Sequence, residues 1–207
     1  MNKGLLFSCL ITASAVVQAA PISLEYQGFY QRLKQVNKGH YPLIEIAFSV
    51  PKANGCVVKS GSLTTEKESF PLTITDKQRI FLPFDDRLKS DRAVINLDMV
   101  GDASQCGIAM QIRAKQTKPQ YRKADIVDIQ HQMDALLSAM QGFPMRYFSE
   151  EITGVNFEFE HPASVVIDGN AQPVEGVFRL SRHALEQITE LSFSRAPDVV
   201  SPWTNGQ

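Results

Sequence analysis

CGIAMQI, residues 106–112, decides how the front half of this chain is read. Cys106, Ile108, Met110 and Ile112 alternate with Gly107, Ala109 and Gln111, the period of a β-strand with one apolar face. The thiol is in phase with that face. In NGCVVKSG (54–61), Cys56 is likewise in phase with Val58. Where two such faces meet, the two sulfurs can join. The bridge would close a loop of about 51 residues and contribute roughly 4 kcal/mol by restricting the unfolded chain. Two buried free thiols are the alternative. Neither cysteine stands in CxxC spacing or near a histidine in sequence, so a metal or redox site lacks its ligands. A catalytic thiolate needs exposure and a basic neighbour, which apolar phase denies it. A structural Cys56–Cys106 disulfide is the expectation.

Working outward, more alternating runs appear. IEIAFSV (44–50) sets Ile44, Ile46, Phe48 and Val50 against Glu45, Ala47 and Ser49, and AVINLDM (93–99) sets Ile95, Leu97 and Met99 against Asn96 and Asp98. FPLTIT (70–75), with Phe70, Leu72 and Ile74 on one face, and RIFLPF (79–84) complete about six short strands separated by turn-forming pieces. Short strands at this spacing predict a sandwich. Ahead of them ISLEY (22–26) reads as a strand, and GFYQRLKQVNKG (28–39) as a helix with Phe29, Leu33 and Val36 on one side and Gly39 as its stop. The expected fold class is mainly β with some α (α+β), beginning with a disulfide-bonded β-sandwich-like lobe over residues 20–113.

RAKQTKPQYRK (113–123) changes the composition, with Arg113, Lys115, Lys118, Arg122 and Lys123 and no acidic residue. Residues 114–124 read as a basic linker; its functional alternative is a grip on phosphate, lipid headgroups or anionic glycan. A helix plus a small β-rich lobe is expected over 125–196. In ADIVDIQHQMDALLSAMQGF (124–143), Ile126, Ile129, Met133, Leu136, Leu137 and Met140 fall within an arc of roughly 100°, with Asp125 as cap and Gly142 and Pro144 as stops. GVNFEFE (154–160), ASVVI (163–167), GVFRL (176–180) and TELSFS (189–194) read as strands. DGN (168–170) is a hairpin turn, and Ser181 caps a short helix. Residues 197–207 read as a proline-bearing tail, in which Trp203 docks a partner or folds back on the core.

The first residues form a secretory leader. Lys3 precedes an apolar run from Gly4 to Val17, and Val17-Gln18-Ala19 presents small residues where signal peptidase inspects them, so residues 1–19 are expected to be a signal peptide cleaved after Ala19. The run is shorter than the ~20 residues that span a bilayer. A lipoprotein box at Leu6–Cys9 fails because the apolar run continues past Cys9. Cleavage leaves 188 residues with two cysteines and 20 basic against 22 acidic side chains. That near balance excludes the marked basic excess that nucleic-acid binding requires. An oxidising compartment, in which thiols pair, follows from export.

Chemistry is harder to find. GxSxG, HExxH, P-loop and GxGxxG patterns are absent. Asp128, His131 and Asp134 repeat at i, i+3, but their directions oppose the apolar arc, which puts them on the solvent face. Asp85, Asp86 and Asp91 lack calcium-loop spacing. Glu158 and Glu160 share one strand face, with His161 next; paired carboxylates divide acid and base roles in hydrolases. Glu158, Glu160 and His161 are the candidate site residues, and no catalytic residue, metal or cofactor is assigned.

The lead PISLEYQGFYQRLKQVNKGHYPLIEIAFSVP (21–51), the LPFD piece (Leu82–Asp85) with its flanking cysteines, and the VVIDG…SFSRAP ending together resemble a gammaproteobacterial periplasmic family, domain of unknown function 2987. The resemblance implies a Gram-negative periplasm and transfers no catalytic residue. The expected function is an exported periplasmic protein acting as a non-catalytic binding or assembly module of the cell envelope, with an envelope protein or glycan as partner, no nucleic acid, and no transmembrane anchor after cleavage. The alternative is a periplasmic hydrolase acting on glycan or peptide.

Overall fold

A computed structural model of the chain describes residues 21–142 and 151–204. The leader, its cleavage point after Ala19, and Pro144 lie outside the described residues. Strands outweigh helices, and every sheet is antiparallel, as an α+β chain of short alternating runs requires.

The front half contains strand β1 (Ile22–Glu25), helix α1 (Tyr26–Gly39), β2 (Ile44–Ser49), β3 (Val58–Thr64), β4 (Ser69–Pro71), β5 (Thr73–Ile74), β6 (Arg79–Phe81), α2 (Asp86–Ser90), β7 (Val94–Met99) and β8 (Ala109–Ala114). They build two four-stranded sheets, ordered β1-β7-β3-β4 and β5-β6-β2-β8. FPLTIT is not one strand. Phe70 pairs with Leu63 in the first sheet and Ile74 with Ile80 in the second, so the chain changes sheets at Leu72, whose N–H reaches the Gly61 carbonyl. Such a corner is how a sandwich closes one side.

Between the sheets lie Leu63, Ile80, Ile95, Leu97 and Met99, joined by Tyr26 and Tyr30 from α1 and Leu88 from α2. Helix α1 starts at Tyr26, earlier than the periodicity predicts, because both tyrosines are buried. Each phenol needs a partner there. Tyr26 donates to the Pro83 carbonyl at 2.5 Å and accepts from the Asp85 N–H, and Tyr30 donates to the Asp86 carboxylate. The LPFD piece is thereby explained. Phe84 stacks on Tyr30, and Asp85 caps α2 through the Arg87 N–H.

Cys56 and Cys106 form the expected disulfide, with Cα atoms 5.7 Å apart. Neither lies inside a strand, since β3 begins at Val58 and β8 at Ala109; the bridge instead pins the two loops that enter them. Gln78, buried beside it, donates to the Val50 and Cys56 carbonyls and accepts from the Val58 N–H. One amide therefore satisfies three backbone groups that the loop leaves without strand partners.

The second half contains β9 (Gln120–Arg122), α3 (Lys123–Gln141), β10 (Gly154–Glu158), β11 (Ala163–Ile167), β12 (Asn170–Val174), β13 (Val177–Ser181), α4 (Arg182–Gln187), β14 (Glu190–Phe193) and β15 (Val199–Trp203). Two sheets result, β13-β10-β15 and β12-β11-β14-β9. Asp168 and Gly169 both have positive φ, at 45° and 88°, which closes the β11–β12 hairpin as the DGN sequence requires. The stretch 113–123 contains β9, paired with β14, and the first residue of α3. The residues read as a tail hold β15, paired along its whole length with β10.

No wall separates the halves. Ile44, Ile46 and Phe48 of β2 share one core with Ile126, Met133 and Leu136 of α3 and with Val155 and Phe157 of β10. The apolar face of the second sheet is thus divided. Its β5–β6 side packs on the first sheet, and its β2–β8 side packs on α3 and the second half. Phe29, Leu82 and Ile108 touch both cores. Among the described residues no helix is long and apolar enough to cross a membrane.

Two outcomes are expected. Replacing Cys56 and Cys106 with serine lowers unfolding free energy by about 4 kcal/mol on the loop-entropy model, read from urea titrations with and without reductant. Asp125 is held down to about 2 by Lys118, helped by the Arg122 N–H, against 3.8 for a free carboxyl. Its contribution is complete above pH 3.8 and disappears as pH falls toward 2. Asp125→Asn should flatten the dependence of stability on pH across that window, measured by urea unfolding at successive pH values.

Candidate functional site

Two of the three sheets that contribute to the common core turn a terminal strand toward each other: β8 ends one and β15 the other. These edges lie beside each other, and a cleft of about 290 Å³ runs between them. Because it follows a strand edge, residues from both faces of β8 line it: Met110, Gln111 and Ile112. Across from them stand Asn156 and Glu158 of β10 and Ser201, Pro202 and Thr204 of the β15 segment, with Leu137 of α3 at the apolar end.

Register explains the polar wall. Gly154, Asn156 and Glu158 alternate onto one face of β10, and Ser201, opposite Asn156 on β15, shares it. Val155 and Phe157 take the other face into the core, where Phe157 meets Tyr121, Phe178 and Phe193. Gly154 has to be glycine: a Cβ there would press into the Leu180 carbonyl of the neighbouring β13.

Glu158 Oε1 accepts from the Ser201 hydroxyl at 2.6 Å and from Gln111 Nε2 at 3.2 Å. The second bond crosses the cleft and ties the front half to the back. Asn156 is only 6 % exposed. Its Nδ2 donates to the Pro202 carbonyl at 3.2 Å, which fixes the orientation of the amide, and its Oδ1 has no partner among the described residues. An unpaired buried carbonyl oxygen is costly, by roughly 1–3 kcal/mol.

Of the three residues the sequence singled out, Glu158 lines this cleft and the other two do not. Glu160 lies beyond the strand, exposed, in an ion pair with Lys77 at 2.7 Å, while its N–H bonds Asp198. His161 is exposed next to it. Phe157 and Phe159 are buried as the alternation predicts. Gln111, Asn156 and Ser201 carry the site's polar groups, and sequence reading passed over them because uncharged side chains in short strands carry no pattern of their own.

Other polar clusters resolve into structural roles. Asp134 is not on the solvent face; it accepts from the Ile152 N–H at 2.8 Å and pairs with Arg182. Every cation of the basic stretch has an internal partner: Arg113 meets Glu45, Lys118 and Arg122 meet Asp125, and Lys115 and Lys123 donate to the Tyr41 and Glu186 carbonyls. Among the described residues no group of three or more His, Cys, Asp or Glu side chains is placed to hold a metal ion.

The chain matches the family described as "Protein of unknown function (DUF2987)" over residues 18–159, and it belongs to that family. Comparison with curated proteins and with solved structures finds no match. The matched span covers the front half, the disulfide, α3 and β10. It therefore includes Gln111, Asn156 and Glu158, but not the β15 wall.

Ser201→Ala removes the shorter of the two bonds to Glu158 and is expected to lower stability by about 1 kcal/mol, measured by urea unfolding. Gly154→Ala should be more damaging, because backbone rather than a flexible side chain blocks the added methyl.

Proposed function

We propose that this protein is an exported, non-catalytic binding module of the Gram-negative cell envelope, and that it holds its ligand in the cleft between β8 and β15. One observation carries the reading: among the described residues a single carboxylate, already braced by Ser201 and Gln111, stands in the cleft beside an unsatisfied amide oxygen, while Glu160 pairs with Lys77 and His161 is exposed. Acid–base hydrolysis of a glycoside calls for two carboxyl groups facing one bond. A braced carboxylate and an orphan acceptor call for a donor-rich ligand. The leader with its cleavage point after Ala19 supports export, and the disulfide suits an oxidising periplasm.

Muramidase fragments of cell-wall glycan provide the test. Titrated into the ¹⁵N-labelled mature protein, they should shift the side-chain amide signals of Gln111 and Asn156 and come back unchanged in mass. New products whose formation is lost in Glu158→Gln would make the protein a hydrolase. Absence of both shifts and products would overturn the reading altogether.

A further inference from the structure

Two acceptors in the cleft face no donor from the described residues. Glu158 Oε1 takes both the Ser201 and the Gln111 bonds, which leaves Oε2 open. Asn156 Oδ1 is buried and unpaired, with its orientation fixed by the bond from Nδ2 to Pro202. Among the described residues the lining contains no Lys, Arg or His. Arg179, directly across from Asn156 on β13, has its guanidinium over the Trp203 ring, 5.9 Å from the centroid, and Lys77 is engaged with Glu160 and Asp198. Thus no described lining residue offers a counter-charge to the Glu158 carboxylate, and the amide oxygen beside it lacks a hydrogen. The remaining lining, Met110, Ile112, Leu137 and Pro202, is apolar.

We propose that the cleft binds a primary ammonium group carried on a short hydrocarbon stem. Its N–H donors satisfy Glu158 Oε2 and Asn156 Oδ1, and the stem lies along Met110, Ile112 and Leu137. Competing cations fit less well. A calcium ion takes 6–8 oxygens and a magnesium ion a near-ideal octahedron, whereas the cleft offers two free ones beside thioether and alkyl groups. Quaternary ammonium has no N–H and is recognised by aromatic cages, and among the described residues no aromatic ring lines this cleft. A neutral hydroxyl would fill the hydrogen bonds and leave the charge uncompensated. An ammonium supplies both charge and three donors.

This assignment rests on the binding reading above, and the experiment separates the two. The ¹⁵N-labelled mature protein is titrated with n-butylammonium, n-butanol, tetramethylammonium and calcium, following the side-chain amides of Gln111 and Asn156. Saturable shifts with butylammonium alone are expected, weakened at least tenfold in Glu158→Gln. The glutamine keeps an oxygen for Ser201 and Gln111, so the fold should hold. Should that variant not fold, the four-probe comparison on the native protein decides by itself. Equal responses to tetramethylammonium or butanol, a preference for calcium, or an unchanged affinity in Glu158→Gln would overturn the proposal. If butylammonium is silent while glycan fragments still shift the same amides, the ammonium assignment falls and the binding reading stands. If both are silent, both fall.

Discussion

Burial of one strand face holds the molecule together. The residues Ile44, Ile46 and Phe48 of β2 leave water not in the sandwich interior alone but against α3 and β10, and the second half is organised around that contact. At roughly 25 cal/mol for each Å² of apolar surface removed from water, such side chains contribute more than any polar contact in the structure. Position follows from energy here. Once β2 has packed on α3, its neighbour β8 can only present its free edge to β15, and the cleft exists because those two edges face each other.

That arrangement also protects the protein. Open edges are templates for unwanted strand pairing. Here each is covered by the other, with Gln111 and Glu158 bonded across the gap and Pro202 in the edge strand, where a missing N–H does least harm. The cleft is what remains after two edges approach without forming a ladder. A site of this kind needs no loop insertion.

Alternation and helical period made much of the fold legible. The runs at 44–50 and 93–99 became β2 and β7, the 124–143 periodicity became α3, and the cysteine phase led to the bridge, although the thiols lie just outside the strands. What failed did so for physical reasons. Tyr26 and Tyr30 look amphipathic in sequence and are buried only because Pro83, Asp85 and Asp86 supply partners from about 56 residues away. Leu72 turns a corner between sheets, which a face-by-face reading of FPLTIT cannot reveal. Residues 199–203 were read as tail because Pro197 precedes them and Pro202 stands among them, yet pairing with β10 overrides that local signal. The site shows the same division. Glu158 was visible as a charged residue in an apolar strand, whereas Asn156, Gln111 and Ser201 acquire meaning only from register across three strands.

The β15 wall has a consequence for biosynthesis. Its hydrogen bonds go to β10, some forty-five residues earlier, so the cleft is assembled by a distant closure and not by local structure. Topologies dominated by such closures fold slowly. A nascent chain that stops short of Val199 has the disulfide-bearing half and α3 in hand, and yet lacks one wall of the cleft. Completeness of synthesis is thereby built into competence.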